Sequence, residues 1–302
     1  MTLLEAIQRS TEFLAKKGVD SPRLQTELLL AHLLKQPRMR LYLDFERILT
    51  PAEVDGFRKL IRRRGQREPL QHIMGSASFC GLELAVNGDV LIPRPETELL
   101  AERGWTFLNQ LPPINSPPRT ALDFGTGSGC LAIALAIKCP PAEVYALDIS
   151  AAALAVARQN AARHGLTERI RFLEGEGFAP VPAGTRFDLI ISNPPYIPSG
   201  DIASLQPEVR DYDPHRALDG GADGLDCARR LAAESARFLK RQGRLMLEFG
   251  DGQAERLREV FEQQKWIVEA IEEDYTHQPR FMVARRLSST ADEAGAPEAQ
   301  PA

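Results

Sequence analysis

The sequence predicts an α/β protein, with a doubly wound, seven-stranded and mainly parallel sheet, an antiparallel edge strand, and a small helical domain in front. Three observations carry this. Between residues 120 and 286, seven short apolar runs alternate with helical stretches, the pattern of β–α–β units on a parallel sheet. Only a turn at His277-Gln278-Pro279 separates the last two runs, so these should pair antiparallel at an edge. Ahead of the runs lie about 70 residues with helical periodicity.

In chain order, Thr2 precedes an amphipathic run to Lys17, and Gly18 stops it. Ser21-Pro22 sets a cap residue before a first-turn proline. It opens "RLQTELLLAHLL", where Leu24, Leu28 and Ala31 share a face. Thr50-Pro51-Ala52-Glu53 is a capping box that starts a helix to about Arg64. "FCGLELAVNGDVLIP" alternates around Asn87-Gly88, a hairpin signal. The expected organisation is a helical domain over 1–74, a hairpin linker over 75–95, and a large domain over 96–287. A proline-rich loop, "LPPINSPPR", lies at 111–119. The expected strands of the large domain are "TALDF", "EVYALDIS", "RIRFLEG", "FDLIISN", "GRLMLEFG", "WIVEAIEED" and "RFMVARR". The tail 288–302 is small, polar and proline-bearing, and is expected to be disordered.

Composition narrows the classes. The 37 basic and 41 acidic residues leave a net charge of -4, which argues against a dedicated nucleic-acid binder. The basic residues crowd into "RKLIRRRGQR", read as a solvated helix face in preference to a docking patch. Cys80, Cys130, Cys139 and Cys227 are scattered, without metal spacing. No apolar run approaches the ~18 residues of a membrane helix, and the start carries charge too early for a secretory signal. A cytoplasmic protein, monomeric and without a membrane or stable nucleic-acid partner, is expected.

Two motifs carry chemistry. "LDFGTGSGCLAIALA" sets Gly125-Thr126-Gly127-Ser128-Gly129 between a strand and a helix. The glycines allow positive φ and close approach of a ligand to the backbone. On its own this is also the signature of a plain tight turn. The next strand, however, ends on Asp148, about 20 residues beyond, where an acid can hold both hydroxyls of a ribose. No Lys or Arg follows the loop to grip phosphates. S-adenosylmethionine, an adenosine without phosphates, therefore fits better than NAD. Asp123 either meets the cofactor's amino group or bonds to loop amides.

The second motif is "SNPPY". The strand ending at Asn193 should lie beside the first, at the switch point where ligands bind. Pro194 biases Asn193 towards an extended backbone, and neither Pro194 nor Pro195 has an N–H. What is left is the Asn193 side-chain oxygen, a bare Pro194 carbonyl, and the flat wall of Tyr196. Two acceptors beside a wall suit a planar NH2 group. Accepting both its hydrogens raises electron density on nitrogen and stabilises the charge that develops during methyl transfer.

These motifs, with "REPLQHIMG" at 67–75, "VLIPRPETE" at 90–98, "EVRDYDPHRALDGGADGLD" at 208–226 and "LEFGDGQ" at 247–253, resemble the HemK/PrmC-type glutamine N5-methyltransferases that modify peptide chain release factors. The resemblance runs to about Arg286 and implies a Rossmann-like methyltransferase sheet. It implies S-adenosyl-L-methionine at Gly125–Gly129 and Asp148, and the glutamine of a release factor's Gly-Gly-Gln loop at Asn193, Pro194, Pro195 and Tyr196, with Asn193 bordering the cofactor too. The helical domain would contact the substrate protein. Glu96 and Thr97 would border the site, or simply start a helix at Pro95. Two segments depart from the family pattern. Glu176 and Gly177 stand where an acid and a bulky residue meet the adenine, and His72 stands where a tyrosine is common. Three readings compete: a ribosomal-protein glutamine as acceptor, an adenine-N6 in nucleic acid, and a non-catalytic cofactor-binding module.

Overall fold

The computed structural model describes residues 1–112 and 118–287. Most of the proline-rich stretch and the whole tail 288–302 lie outside the described residues. The chain forms two compact units. Among the described residues, the first comprises Met1–Ala77, Ala85–Ile92 and Ala203–Pro214, and the second Ser78–Leu84, the described part of 93–202, and 215–287. The segment 203–214, expected in the large domain, thus belongs with the N-terminal helices.

In the first unit, α1 (Leu3–Lys16), α2 (Pro22–Leu34), α3 (Arg38–Leu41), α4 (Pro51–Gly65) and α5 (Leu70–Met74) enclose a core of Leu3, Ile7, Leu14, Leu29, Leu30, Phe57 and Ile61. Capping boxes start α1, through Thr2 and Glu5, and α4, through Thr50 and Glu53. Ser21 differs from expectation. Its φ of 47° is left-handed and its side chain makes no cap bond. The buried face of α2 also differs. It centres on Leu29 and Leu30, leaving Leu24 exposed.

The arginine-rich end of α4 divides. Arg58 pairs with Asp55 at the surface, but Arg64 is buried and donates to Gln25 and to Glu208, at 2.6 Å for the latter. Arg67 grips the same Glu208 with two bonds of 2.6 Å. Burial pushes the Glu208 carboxyl up, yet the bonds from Arg67 and Arg64 outweigh it and hold the group below the usual carboxylate range. Two of the arginines therefore fasten the 203–214 segment, whose helix α9 (Pro207–Arg210) carries Glu208. They are not a solvated face.

The hairpin turns earlier than expected. β1 (Ser76–Phe79) and β2 (Leu82–Ala85) are joined at Cys80-Gly81, with φ of 50° and 77°. A two-residue turn of this hand needs positive φ at both positions. Gly88 is not among the positive-φ glycines. Instead the Asn87 side chain accepts from Asp89 N at 3.0 Å, a local Asx turn.

The second unit holds α6 (Pro95–Gln110), β3 (Arg119–Phe124), α7 (Cys130–Lys138), β4 (Ala142–Asp148), α8 (Ala151–Arg163), β5 (Ile170–Glu174) and β6 (Phe187–Ser192). It continues with α10 (His215–Leu218), α11 (Asp226–Glu234), β7 (Leu239–Glu248), α12 (Ala254–Gln263), β8 (Trp266–Glu273) and β9 (Pro279–Arg286). All seven expected strands form one sheet, ordered β5-β4-β3-β6-β7-β9-β8. β3 pairs in parallel with β4 and with β6, as expected. β9 pairs antiparallel with both β7 and β8, so it sits one place in from the edge. Both sheet faces are covered, by cores around Leu131, Leu135 and Leu189 on one side and Phe187, Leu245 and Phe261 on the other. That burial explains why the strands read as unbroken apolar runs. Among the described residues no helix is long and apolar enough to cross a membrane.

Candidate active site

The strand order reverses at β3, and the chain leaves β3, β4 and β6 beside that point. There the glycine loop is lashed to β4. Gly125 N and Thr126 N both donate to Leu147 O at 2.9 Å, and Gly127 N donates to Asp148 Oδ2 at 2.9 Å. From α8 the buried Asn160 donates to Ser128 O at 2.9 Å. Gly125 and Gly127 have φ of 76° and 53°, and a Cβ on either would meet nothing within 4 Å. This is the loop's open side, where a ligand can approach. Gly129 serves packing instead, since a Cβ there would lie 3.1 Å from the Ala157 Cβ.

Thr126 and Ser128 turn inward and are buried, so they can offer a ligand only their backbone. Asp123 explains why. Its carboxylate is 1% exposed and accepts from the Thr126 hydroxyl at 2.6 Å and from Ala132 N at 3.0 Å. Burial pushes this carboxyl up to about 7, against those two bonds. The two bonds to Oδ2 fit the internal reading of Asp123, whereas its Oδ1 is buried without a partner among the described residues. Asp148 is half-buried, and each oxygen accepts one bond, from Gly127 N and from Ser150 N at 2.9 Å. A carboxylate has about four acceptor directions, so capacity for two hydroxyls is left. The residues here fit a nucleoside.

After β5, Glu176 is exposed and pairs with Arg230 at 2.9 Å. Gly177 is buried at φ 58°. The aromatic that follows it, Phe178, is spent on the core, 5.0 Å from the Phe124 ring and stacked at 4.6 Å on Phe238.

The tetrapeptide after β6 is held from three sides. Ser192 donates to Phe124 O at 2.7 Å, tying β6 to the start of the glycine loop. Asn193 Nδ2 donates to the Thr97 hydroxyl at 3.0 Å. Among the described residues nothing donates to Asn193 Oδ1 or to the Pro194 carbonyl, which leaves the two acceptors open. The Tyr196 hydroxyl donates to Glu248 Oε1 at 3.3 Å, and its carbonyl accepts from Gln253 Nε2 at 2.9 Å. Behind that carbonyl lies Gly224, where a Cβ would come within 2.3 Å of the oxygen. Ile197 N and O bond to Leu218 O and Gly220 N, so the "ALDGG" stretch braces the tetrapeptide.

Thr97 takes a different place from the substrate contact implied for it. It is 1% exposed, and its hydroxyl donates to Glu248 Oε2 at 2.7 Å while accepting from Asn193. It backs the site and does not line it. Glu96, beside it in the first turn of α6, is half-buried. Four supporting residues were not singled out from the sequence: Glu248, Gln253, Asn160 and Gly224. For Glu248 a signal existed. Like Asp123 and Asp148, it is an acid closing an apolar run, "RLMLE".

Comparison with known proteins finds relatives of both parts of the chain. Residues 5–75 match the family described as PrmC N-terminal domain, and residues 104–205 the one described as Methyltransferase small domain. A release factor glutamine methyltransferase from Geobacter sulfurreducens is 44% identical over 262 residues, spanning 86% of this chain and 88% of that protein. One from Rhodospirillum rubrum is 41% identical over 289 residues, spanning 96% and 86%. Among solved structures, the hMettl16 catalytic domain in complex with MAT2A 3'UTR hairpin 6 shares the fold at 18% identity and a TM-score of 0.51, covering 70% of this chain and 77% of that one.

Proposed function

Because the chain belongs to the release factor glutamine methyltransferase family, we propose that it methylates the side-chain amide nitrogen of the glutamine in the Gly-Gly-Gln loop of a peptide chain release factor. S-adenosyl-L-methionine, held by the backbone of Gly125–Gly129 and by Asp148, supplies a methyl group on a sulfonium. The rest is done by the chain's own groups. The observation that carries the reading is the pair of open acceptors, Asn193 Oδ1 and the Pro194 carbonyl, at the switch point beside the glycine loop. An amide nitrogen is a poor nucleophile because its lone pair is delocalised. Accepting one hydrogen at each oxygen restores electron density to the nitrogen and stabilises its developing charge. The missing N–H groups of Pro194 and Pro195 keep competing donors away, and Tyr196, clamped at both ends, supplies a fixed planar wall. No general base is required, since the methylated nitrogen is acidic enough to shed its proton. Glu176 and Gly177 border the adenine end, and Glu96 the mouth of the site. The N-terminal helical unit recognises the protein substrate.

Mass spectrometry of purified release factor and ribosomal proteins, after incubation with enzyme and S-adenosyl-L-methionine, tests this. One methyl on the Gly-Gly-Gln glutamine is the expected result. A methyl found instead on a ribosomal-protein glutamine, or on adenine in RNA or DNA, would replace the substrate assigned here. Asp148→Ala should weaken S-adenosyl-L-methionine binding by about 1.5–3 kcal/mol, because it removes the ribose acceptors and also frees the Gly127 amide. Unchanged affinity by calorimetry would refute the ribose assignment.

A further inference from the structure

Asparagine presents two ends of nearly equal size, and only one of them is useful here. If the carboxamide turned over, an NH2 would face the substrate NH2 and the acceptor pair would be lost. Which end faces outward is decided by hydrogen-bond logic, and the logic leads away from the site to Glu248. The Thr97 hydroxyl has one proton and two lone pairs. An ionised carboxylate is acceptor-only, so with Glu248 Oε2 at 2.7 Å that proton goes to Glu248. Towards Asn193, Thr97 can then only accept, which requires Nδ2 on that side and leaves Oδ1 open.

We propose that Glu248 is a positioning residue which, through the Thr97 hydroxyl, sets the orientation of the Asn193 carboxamide. The inference rests on the reading of Asn193 as the amide acceptor. The same carboxylate receives the Tyr196 hydroxyl on its other oxygen, so a single buried acid orients both ends of the tetrapeptide. The charged groups around it are Arg280 on β9, which favours ionisation, and Glu96 on α6, which opposes it. Burial dominates and pushes the Glu248 carboxyl up to about 7.

The sign follows. Above that value Glu248 is ionised and the direction of the relay is enforced. Below it a protonated Glu248 can donate to Thr97, the Thr97 proton is released to point at Asn193, and the carboxamide loses its preference. Transfer should therefore fall as pH drops through about 7.

The test is single-turnover transfer to intact release factor over roughly pH 5.5–9, which brackets the Glu248 value of about 7. In Glu248→Gln the acidic limb should vanish and the plateau rate drop roughly 10–100-fold, with the KM for S-adenosyl-L-methionine little changed. Asp123 titrates in the same region, so Asp123→Asn is the control and should keep the limb. Thr97→Val should lose rate as Glu248→Gln does, while Thr97→Ser, which restores the hydroxyl, should recover most of it. A limb that survives in Glu248→Gln, or that disappears in Asp123→Asn alone, overturns the proposal. Equal rates for Thr97→Val and Thr97→Ser overturn it as well, independently of whether Glu248→Gln folds. Loss of transfer in Asn193→Ala alongside such results would leave the acceptor reading standing and remove only the relay.

Discussion

Asn193→Ala should lower single-turnover methyl transfer by roughly 10²–10³-fold, or about 2.7–4 kcal/mol, the usual cost of deleting one preorganised group aimed at developing charge. Its affinity for S-adenosyl-L-methionine should stay within a few-fold. The split arises because the two tasks lie on different strand ends. The cofactor elements, Gly125–Gly129 and Asp148, keep every bond they make to one another, since none of these involves Asn193. The variant loses one of the two open acceptors, and with it the bond to Thr97 that fixes the side chain. Asn193→Asp is a sharper probe. Its carboxylate can still accept from the substrate, but it cannot donate to Thr97, whose only proton already serves Glu248. Two acceptors would then compete for one hydroxyl proton, so this variant should be impaired despite its similar shape. Quench-flow assays paired with calorimetry separate the effects. A rate for Asn193→Ala within threefold of wild type would remove the amide pincer from the mechanism.

The second large effect is on stability. Arg64→Ala should destabilise the protein by about 3–5 kcal/mol, the range for breaking a buried ion pair by removing one partner. Glu208 keeps Arg67, which places the expectation at the lower end. Arg58→Ala, six residues earlier on α4, removes only an exposed pair with Asp55 and should cost about 0–1 kcal/mol. Urea titration of the two variants tests the distinction. Equal midpoints would mean that Arg64 contributes no more than a surface charge.

The sheet was legible because its strands are buried on both faces and flanked by helices, so each reads as an apolar run of the right length. GTGSG, Asp148 and NPPY were legible because each departs from what a plain strand end needs. The supports of the site were hidden for a physical reason. The Thr97–Glu248 bond joins residues 151 positions apart, and that of Asn160 to Ser128 spans 32. Local pattern carries no information about either. Where the sequence misled, a local preference lost to tertiary placement. Asn87-Gly88 has hairpin chemistry, but the turn formed at Cys80-Gly81, where Glu98 accepts from Cys80 N at 2.8 Å. Arg64 and Arg67 looked like part of a solvated run until Glu208 arrived from a distant part of the chain.

That arrival has a consequence for synthesis on the ribosome. The helical unit is completed by residues 203–214, which leave the ribosome about 110 residues after Ile92. At ~5–20 residues per second, the N-terminal helices wait roughly 5–20 s with the guanidinium groups of Arg64 and Arg67 lacking their carboxylate. The apolar core of these helices is drawn from residues 3–73, but the ion pairs of Arg64 and Arg67 with Glu208 form only once residue 208 has emerged. Those contacts close only after β6 and the tetrapeptide have been made, while Glu248 and Gln253, which brace the tetrapeptide, emerge later still.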